Sequence, residues 1–326
     1  MLDPDVRKLL STVFANPPDA TAPDVHALRN AAEKALALSA PPEHVAMVRD
    51  VIAVGTRGRR VPLRVYDPSP AEATPLVLFA HGGGWVTGSL DSHDRLCRML
   101  ANRLNAVVAA VGYARAPEHR YPAALDDYDA AWHWCREEAR ALHADSTRMA
   151  VAGDSAGGNL AAALTIRLRA RREAQPILQL LLYPALDARA TSASYTEFAA
   201  GHNLSADMMR WYWKAYAPNA DPEDPELSPL AARDHADLAP AIIAWIDADV
   251  LRDDGLAYAG KLKAAGVATA AIHCPGMVHG FLRWSGAVPA SVLCLDAICA
   301  AARPALHGTV AEAKHLISQM RSNETP

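Results

Sequence analysis

Six short apolar runs recur along the chain, at Leu76–Ala80, Ala106–Val111, Met149–Ala152, Ile177–Tyr183, Ala241–Ile246 and Ala268–His273, with segments of helical pattern between them. Runs this short and this continuously apolar read as strands buried on both faces. Their alternation with helices argues a mostly parallel sheet covered on both sides. Ahead of them, Val51–Val54 and Val61–Tyr66, joined through Gly55 and Gly58, read as an antiparallel hairpin at the sheet edge. Residues 1–46 carry two helical patterns broken at Pro17-Pro18 and Pro41-Pro42. Between Ala185 and Leu230 the alternation fails: turn formers (Pro218, Pro222, Pro225, Pro229) flank the cluster Met208-Met209-Arg210-Trp211-Tyr212-Trp213.

In parallel sheets of this kind ligands bind beyond the carboxyl ends of the strands, and the unusual residues of the chain sit there. Gly153-Asp154-Ser155-Ala156-Gly157 lies between the strand ending at Ala152 and a helical stretch from Gly158. A serine on such a turn is thrust out of the sheet, and the helix behind it aims free N–H groups at the place where an oxyanion would form. Alone, the pentapeptide is also compatible with a plain strand-to-helix turn. Upstream, Leu76–Ala80 runs into His81-Gly82-Gly83-Gly84-Trp85. Three glycines in a row cost conformational entropy without packing anything. A phosphate cradle would want a Walker-type lysine or G-x-G-x-x-G spacing, and the segment has neither. Together the two motifs indicate acyl transfer.

A serine nucleophile needs a base and an orienting acid, and on this arrangement of strands the chain order is Ser, acid, His. Of the thirteen histidines, those late enough are His273, His279, His307 and His315. His273 falls inside the last apolar run and the final two in a polar tail, whereas His279 follows Pro275-Gly276-Met277-Val278, a loop at the same sheet edge. Asp247, Asp249, Asp253 and Asp254 all follow the run Ala241–Ile246 and stay open as the acid; the last two also suit caps or first-turn charges of the next helix.

These motifs resemble the hormone-sensitive-lipase family of α/β-hydrolases, in the branch with a Gly-Asp-Ser-Ala-Gly-Gly nucleophile turn. The resemblance runs from about Val61 to Phe281, through His81–Trp85, Tyr113 with Ala116-Pro117-Glu118 and Pro122-Ala123, Gly153–Gly158, Asp249 with Leu251-Arg252-Asp253, and His279-Gly280-Phe281. It implies an α/β-hydrolase fold with a helical cap: cap helices in 1–46, core in 47–184, a cap insertion in 185–230, and core with a C-terminal helix and tail in 231–326. It implies a serine carboxylesterase for short- to medium-chain acyl esters, with Ser155 as nucleophile, His279 as base, and Asp249 as acid ahead of the runner-up Asp247. The amides of Gly83, Gly84 and Ala156 would form the oxyanion hole. Trp85, Met208, Met209 and Trp213 are pocket candidates, although the aromatics of the insertion, Trp211 and Trp213, read equally well as core. Glu118, Asp154 and His81 read as supports. Gly112 and Ala114 stand where the family more often has an aspartate and an arginine, and Val250 replaces a frequent proline. An amidase or deacetylase would share the triad. A non-catalytic receptor of the same fold would have lost the histidine, which this chain keeps at 279.

Composition narrows the partners. Apolar residues make up 51% and charged residues 21%, ordinary globular values that make disorder an unsuitable description. A formal charge of −4 gives no electrostatic basis for nucleic-acid binding; the arginines at 167, 169, 171 and 172 read as the solvated end of the helix after Ser155. The five cysteines (Cys97, Cys135, Cys274, Cys294, Cys299) are odd in number and lack C-x-x-C spacing, so they read as buried thiols in a reducing compartment. The start Met1-Leu2-Asp3-Pro4-Asp5 lacks a basic and apolar leader pattern, and no run reads as long enough to cross a bilayer. The expectation is a cytoplasmic enzyme acting on a small-molecule ester, with no metal, no cofactor and no membrane insertion; a homodimer is compatible with the sequence.

Overall fold

In the computed structural model, which describes every residue except 56, 57, 72 and 321–326, the apolar runs assemble into one sheet of order β1-β2-β4-β3-β5-β6-β7-β8. The strands are β1 (Met47–Val54), β2 (Arg60–Asp67), β3 (Thr74–Ala80), β4 (Val107–Val111), β5 (Ala144–Asp154), β6 (Gln179–Leu182), β7 (Ala241–Ala248) and β8 (Thr269–Val278). β2 pairs antiparallel with β1 and β4, and the remaining pairings are parallel. The hairpin read from the sequence is the β1-β2 edge; residues 56 and 57 of its turn, and 321–326 of the expected tail, lie outside the described residues.

The continuous apolarity of the strands follows from burial on both faces. Along β3, Leu76, Leu78 and Ala80 enter one core while Val77 and Phe79 enter the other; along β5, Met149 and Val151 oppose Ala150 and Ala152 in the same way. The first core is closed by α4 (Ala123–Glu137), α5 (Ala156–Ala170), α7 (Ala206–Tyr216) and α8 (Arg252–Ala264), with α2 (Val25–Lys34) packed against it. The second is closed by α1 (Pro4–Thr12), α3 (Asp94–Leu104), α9 (Pro289–His307) and α10 (Val310–Gln319). A single helical turn, α6 (Ser194–Glu197), precedes α7.

Three expectations change. β8 does not end at His273 but runs on to Val278, a register shift against β7 between Ile246 and Ala248 absorbing the extra length. Arg167 is not solvated: it is 6% exposed, with Nη2 at 2.6 Å from Glu226 and Nη1 at 3.0 Å from Asp126. Burial works against its charge, and these acids together with Asp129 outweigh it. The run of arginines hid this because Glu226 lies far along the chain. Among the described residues α9 is long and apolar enough to cross a membrane by length and composition; here it lays Leu295, Ile298, Cys299 and Ala302 into the second core. All five cysteines are free, four of them buried and Cys294 half-buried.

Asp254 anchors the segment after β6. Its Oδ2 accepts from the amides of Leu186 (2.9 Å) and Asp187 (3.1 Å), while Oδ1 has no hydrogen-bond partner among the described residues. Burial pushes this carboxyl well above its ordinary value, the charges of Asp187 and Asp249 add to the push, and the two amides oppose it. A carboxyl whose pKa is raised by folding contributes most at low pH, and the contribution falls as pH rises from the unfolded value through the folded one. Asp254→Asn keeps an acceptor for both amides and removes the charge. It is expected to raise Tm by about 2–4 °C in mildly alkaline buffer and by less in acid. A gain that is larger in acid, or a loss at both, would contradict this account.

Candidate active site

The site lies at the carboxyl ends of β3, β5, β7 and β8. β5 delivers Ser155 at φ 56° and ψ −119°, a backbone that non-glycine residues adopt only at a cost of about 1–3 kcal/mol. The turn is fixed from both sides: the Ser155 amide donates to the Leu182 carbonyl at 2.8 Å, and the Ser155 carbonyl accepts from Ala185 at 3.2 Å. Close packing of the α5 start against β3 requires Gly157, where a Cβ would collide with the Ala80 carbonyl oxygen. Ser155 occupies the N-cap position of α5 without capping it, so its hydroxyl is available elsewhere. It lies 2.8 Å from Nε2 of His279.

His279 follows β8 directly. Its Nδ1 is 2.8 Å from Oδ2 of Asp249, its carbonyl accepts from Asn203 Nδ2 at 2.9 Å, and the Tyr183 ring meets its edge at 5.1 Å. Asp249, in the loop after β7, has a fully buried side chain, and its Oδ1 accepts from the Leu251 amide at 2.9 Å. Asp247 points elsewhere, 2.7 Å from His273, itself stacked on Trp245. Asp253 accepts from the Ser194 amide. Of the four aspartates left open by the sequence, Asp249 is the one beside His279.

The glycine loop after β3 folds into a tight turn, with the amides of Val86 and Thr87 both donating to the Gly83 carbonyl. Gly83 (φ 115°) and Gly84 (φ 59°) take left-handed backbones, and a Cβ on Gly84 would collide with the Tyr212 ring. The amides of Gly83, Gly84 and Ala156 donate to no protein acceptor among the described residues. Asp154, 2% exposed, ties this loop to the serine turn by accepting the Gly82 amide at 2.7 Å. Burial works against its charge, yet His93, Arg283 and the Gly82 amide hold its carboxyl below the ordinary value. Burial and the neighbouring His93 depress His81 to about 3, so it is neutral; its ring stacks on Tyr113, whose hydroxyl donates to the His81 carbonyl at 2.7 Å. Glu118 does not touch the loop itself. It grips Arg29 of α2 with both oxygens, and Arg29 in turn donates to the carbonyls of Val86 and Ala116. Where an ion pair at 112 and 114 was expected to be missing, Asp127 holds the Ala114 amide at 2.7 Å and pairs with Arg59.

A cavity of about 220 Å³ opens over Ser155 and His279. Met208, Met209 and Tyr212 of α7 form one wall, and Leu28, Ala31 and Ala32 of α2 form another. Trp85 and Trp213 are not in that lining. Trp85 is fully buried, stacks on Tyr216 at 4.4 Å and meets the tilted ring of Trp213 at 4.3 Å, because the left-handed turn at Trp85 (φ 58°) directs its side chain into the first core. Sequence reasoning missed Tyr212, Asn203, His93 and Arg283. Tyr212 stood in the apolar cluster already noticed, one turn from Met208 and Met209; Asn203, His93 and Arg283 carried no local signal.

The α/β-hydrolase family pattern matches residues 77–283. The chain is 39% identical to an ethyl acetate hydrolase of Pseudomonas putida over 86% of its length and 92% of the relative's. It is 42% identical to the carboxylic ester hydrolase LipN of Mycobacterium tuberculosis over 86% and 77%. Among solved structures, the hyperthermophilic esterase of the archaeon Pyrobaculum calidifontis superposes with a TM-score of 0.86 at 36% identity, covering 93% of this chain and 98% of that one.

Proposed function

Since this chain belongs to the α/β-hydrolase family, in its hormone-sensitive-lipase-like esterase group, we propose that it is a serine carboxylesterase for short- to medium-chain acyl esters. The observation that carries the reading is the unbroken relay from Ser155 Oγ through His279 to Asp249, with 2.8 Å at each step. In this reading Ser155 attacks the ester carbonyl while Nε2 of His279 takes its proton. Asp249 holds the imidazole in the tautomer that leaves Nε2 free to accept, and stabilises the imidazolium that forms. The oxyanion is bound by the amides of Gly83, Gly84 and Ala156, preset groups that need no reorganisation as charge develops. His279 then protonates the leaving alcohol, and water, activated by the same imidazole, releases the acid from Ser155.

Residues 1–46 and 185–230 are proposed to act together as a cap. Their α2 and α7 supply the apolar walls over the serine, and two ion pairs tie these segments to the core, Arg29 with Glu118 and Glu226 with Arg167. A cavity this small limits acyl length, and flexible methionines on its wall suit acyl groups of varied shape. On p-nitrophenyl esters, kcat/KM is expected to peak between acetyl and hexanoyl and to fall at least about tenfold by lauroyl. A maximum on lauroyl or longer esters would contradict the chain-length reading. No turnover of any ester, with no phosphonylation of Ser155 by a fluorophosphonate in mass spectrometry, would contradict the enzyme itself.

A further inference from the structure

One cation of the cavity has no part in the proposed acyl transfer. Arg283 ends the short turn Phe281–Arg283 that follows His279, is half-buried, and lines the same cavity as Ser155 and Tyr212. Its carbonyl accepts from the Ser39 hydroxyl. Among the described residues, its guanidinium has no hydrogen-bond acceptor and no carboxylate within ion-pair distance. Other arginines that reach inward are consumed: Arg29 by Glu118, Arg167 by Glu226 and Asp126, Arg115 by the Gly88 carbonyl. The buried carboxylate of the cavity, Asp154, is spent on the Gly82 amide.

The field of Arg283 acts inside the chamber. It helps hold the Asp154 carboxyl below its ordinary value and opposes the burial-driven rise of the Tyr183 and Tyr212 hydroxyls. Much of the rest of the lining is apolar (Leu28, Ala31, Met208, Met209) and offers a charged ligand no counter-charge. A guanidinium carries five donors in a planar fork matched to a carboxylate. Removing part of its hydration without supplying a partner is unfavourable, and an anionic group entering the cavity would relieve that cost.

We infer that Arg283 selects esters bearing a second, anionic group, a carboxylate on either the acyl or the alcohol part, which it pairs while Ser155 attacks the neutral ester carbonyl. The inference rests on the esterase reading above and names its substrate class. The test compares kcat/KM for ethyl hydrogen adipate (carboxylate on the acyl side) and 4-acetoxybutanoate (carboxylate on the alcohol side) with ethyl hexanoate and butyl acetate. It is made on the wild type, Arg283→Gln and Arg283→Lys at neutral pH. For at least one side, the anionic-to-neutral ratio is expected to exceed one in the wild type. Arg283→Gln should lower that ratio by about ten- to a hundredfold, and Arg283→Lys by less. The ratio is internal to each preparation, so partial misfolding does not alter it. An unchanged ratio, or wild-type preference for the neutral ester on both sides, overturns the inference. If neutral esters are not hydrolysed either, the esterase reading has failed, and calorimetry of ethyl hydrogen adipate with the wild type and Arg283→Gln then decides the binding claim. Binding that Arg283→Gln weakens supports it, and no binding, or binding the variant leaves unchanged, overturns it.

Discussion

Ser155→Ala is expected to lower kcat on p-nitrophenyl butyrate by about 10⁵–10⁶ while the protein stays folded. The local structure explains both halves of this result. The left-handed backbone at 155 is imposed by the Leu182 and Ala185 hydrogen bonds and by the packing of α5 on β3, and alanine keeps the Cβ, so the strain is unchanged. The hydroxyl caps no helix; the partner it leaves behind is Nε2 of His279, at the cavity wall where water can replace it. What disappears is the only group in the proposed mechanism that forms the covalent intermediate. The free amides of the glycine loop and of Ala156 still bind and polarise the carbonyl, so a residual rate over water is expected. The check is kcat together with Tm and near-ultraviolet circular dichroism of the variant. A folded variant within about tenfold of the wild type would remove Ser155 from the reaction.

Much of the fold was legible because its cause is local. A strand buried on both faces must be apolar along its length, and β3, β4, β6 and the buried stretches of β5 and β7 announced themselves that way. The serine and glycine motifs were legible for a related reason: a sharp turn and a close backbone crossing, as at Gly157 against Ala80, tolerate few residues. What stayed hidden depends on partners far along the chain. Arg167 sat in a run that looked solvated until Glu226 folded over it. Asp254 looked like a first-turn charge of α8, but the chain after β6 brings the Leu186 and Asp187 amides to it. Trp85 followed the glycines and was read as a pocket wall, whereas the turn at that residue points it into the core. The four late aspartates could not be separated by spacing, since Asp247 and Asp249 both lie just past the same strand, and only the packing of β7 on β8 distinguishes the partner of His273 from that of His279.

That distinction sets up the second large effect. Asp249→Asn is expected to lower kcat by about 10⁴ with little change in KM, whereas Asp247→Asn should stay within about twofold of the wild type, as surface substitutions usually do. The reason is the orientation that Asp249 is forced to keep. Its Oδ1 accepts the Leu251 amide at 2.9 Å in a fully buried position. In the asparagine variant the side-chain oxygen is the only atom that can take over that acceptor role, which turns the NH₂ toward His279. An NH₂ there can only donate, so Nδ1 must become the acceptor and the imidazole proton moves to Nε2. Nε2–H can no longer take the proton of Ser155, so the nucleophile is left without its base although every heavy atom keeps its place. The tautomer is directly observable: the ¹⁵N shifts of the His279 ring nitrogens should exchange character between the wild type and Asp249→Asn. Full activity in Asp249→Asn together with a large loss in Asp247→Asn would transfer the acid's role to the other aspartate. A large loss without the tautomer change would show that Asp249 acts through its charge on the imidazolium, and not through the orientation argued from Leu251.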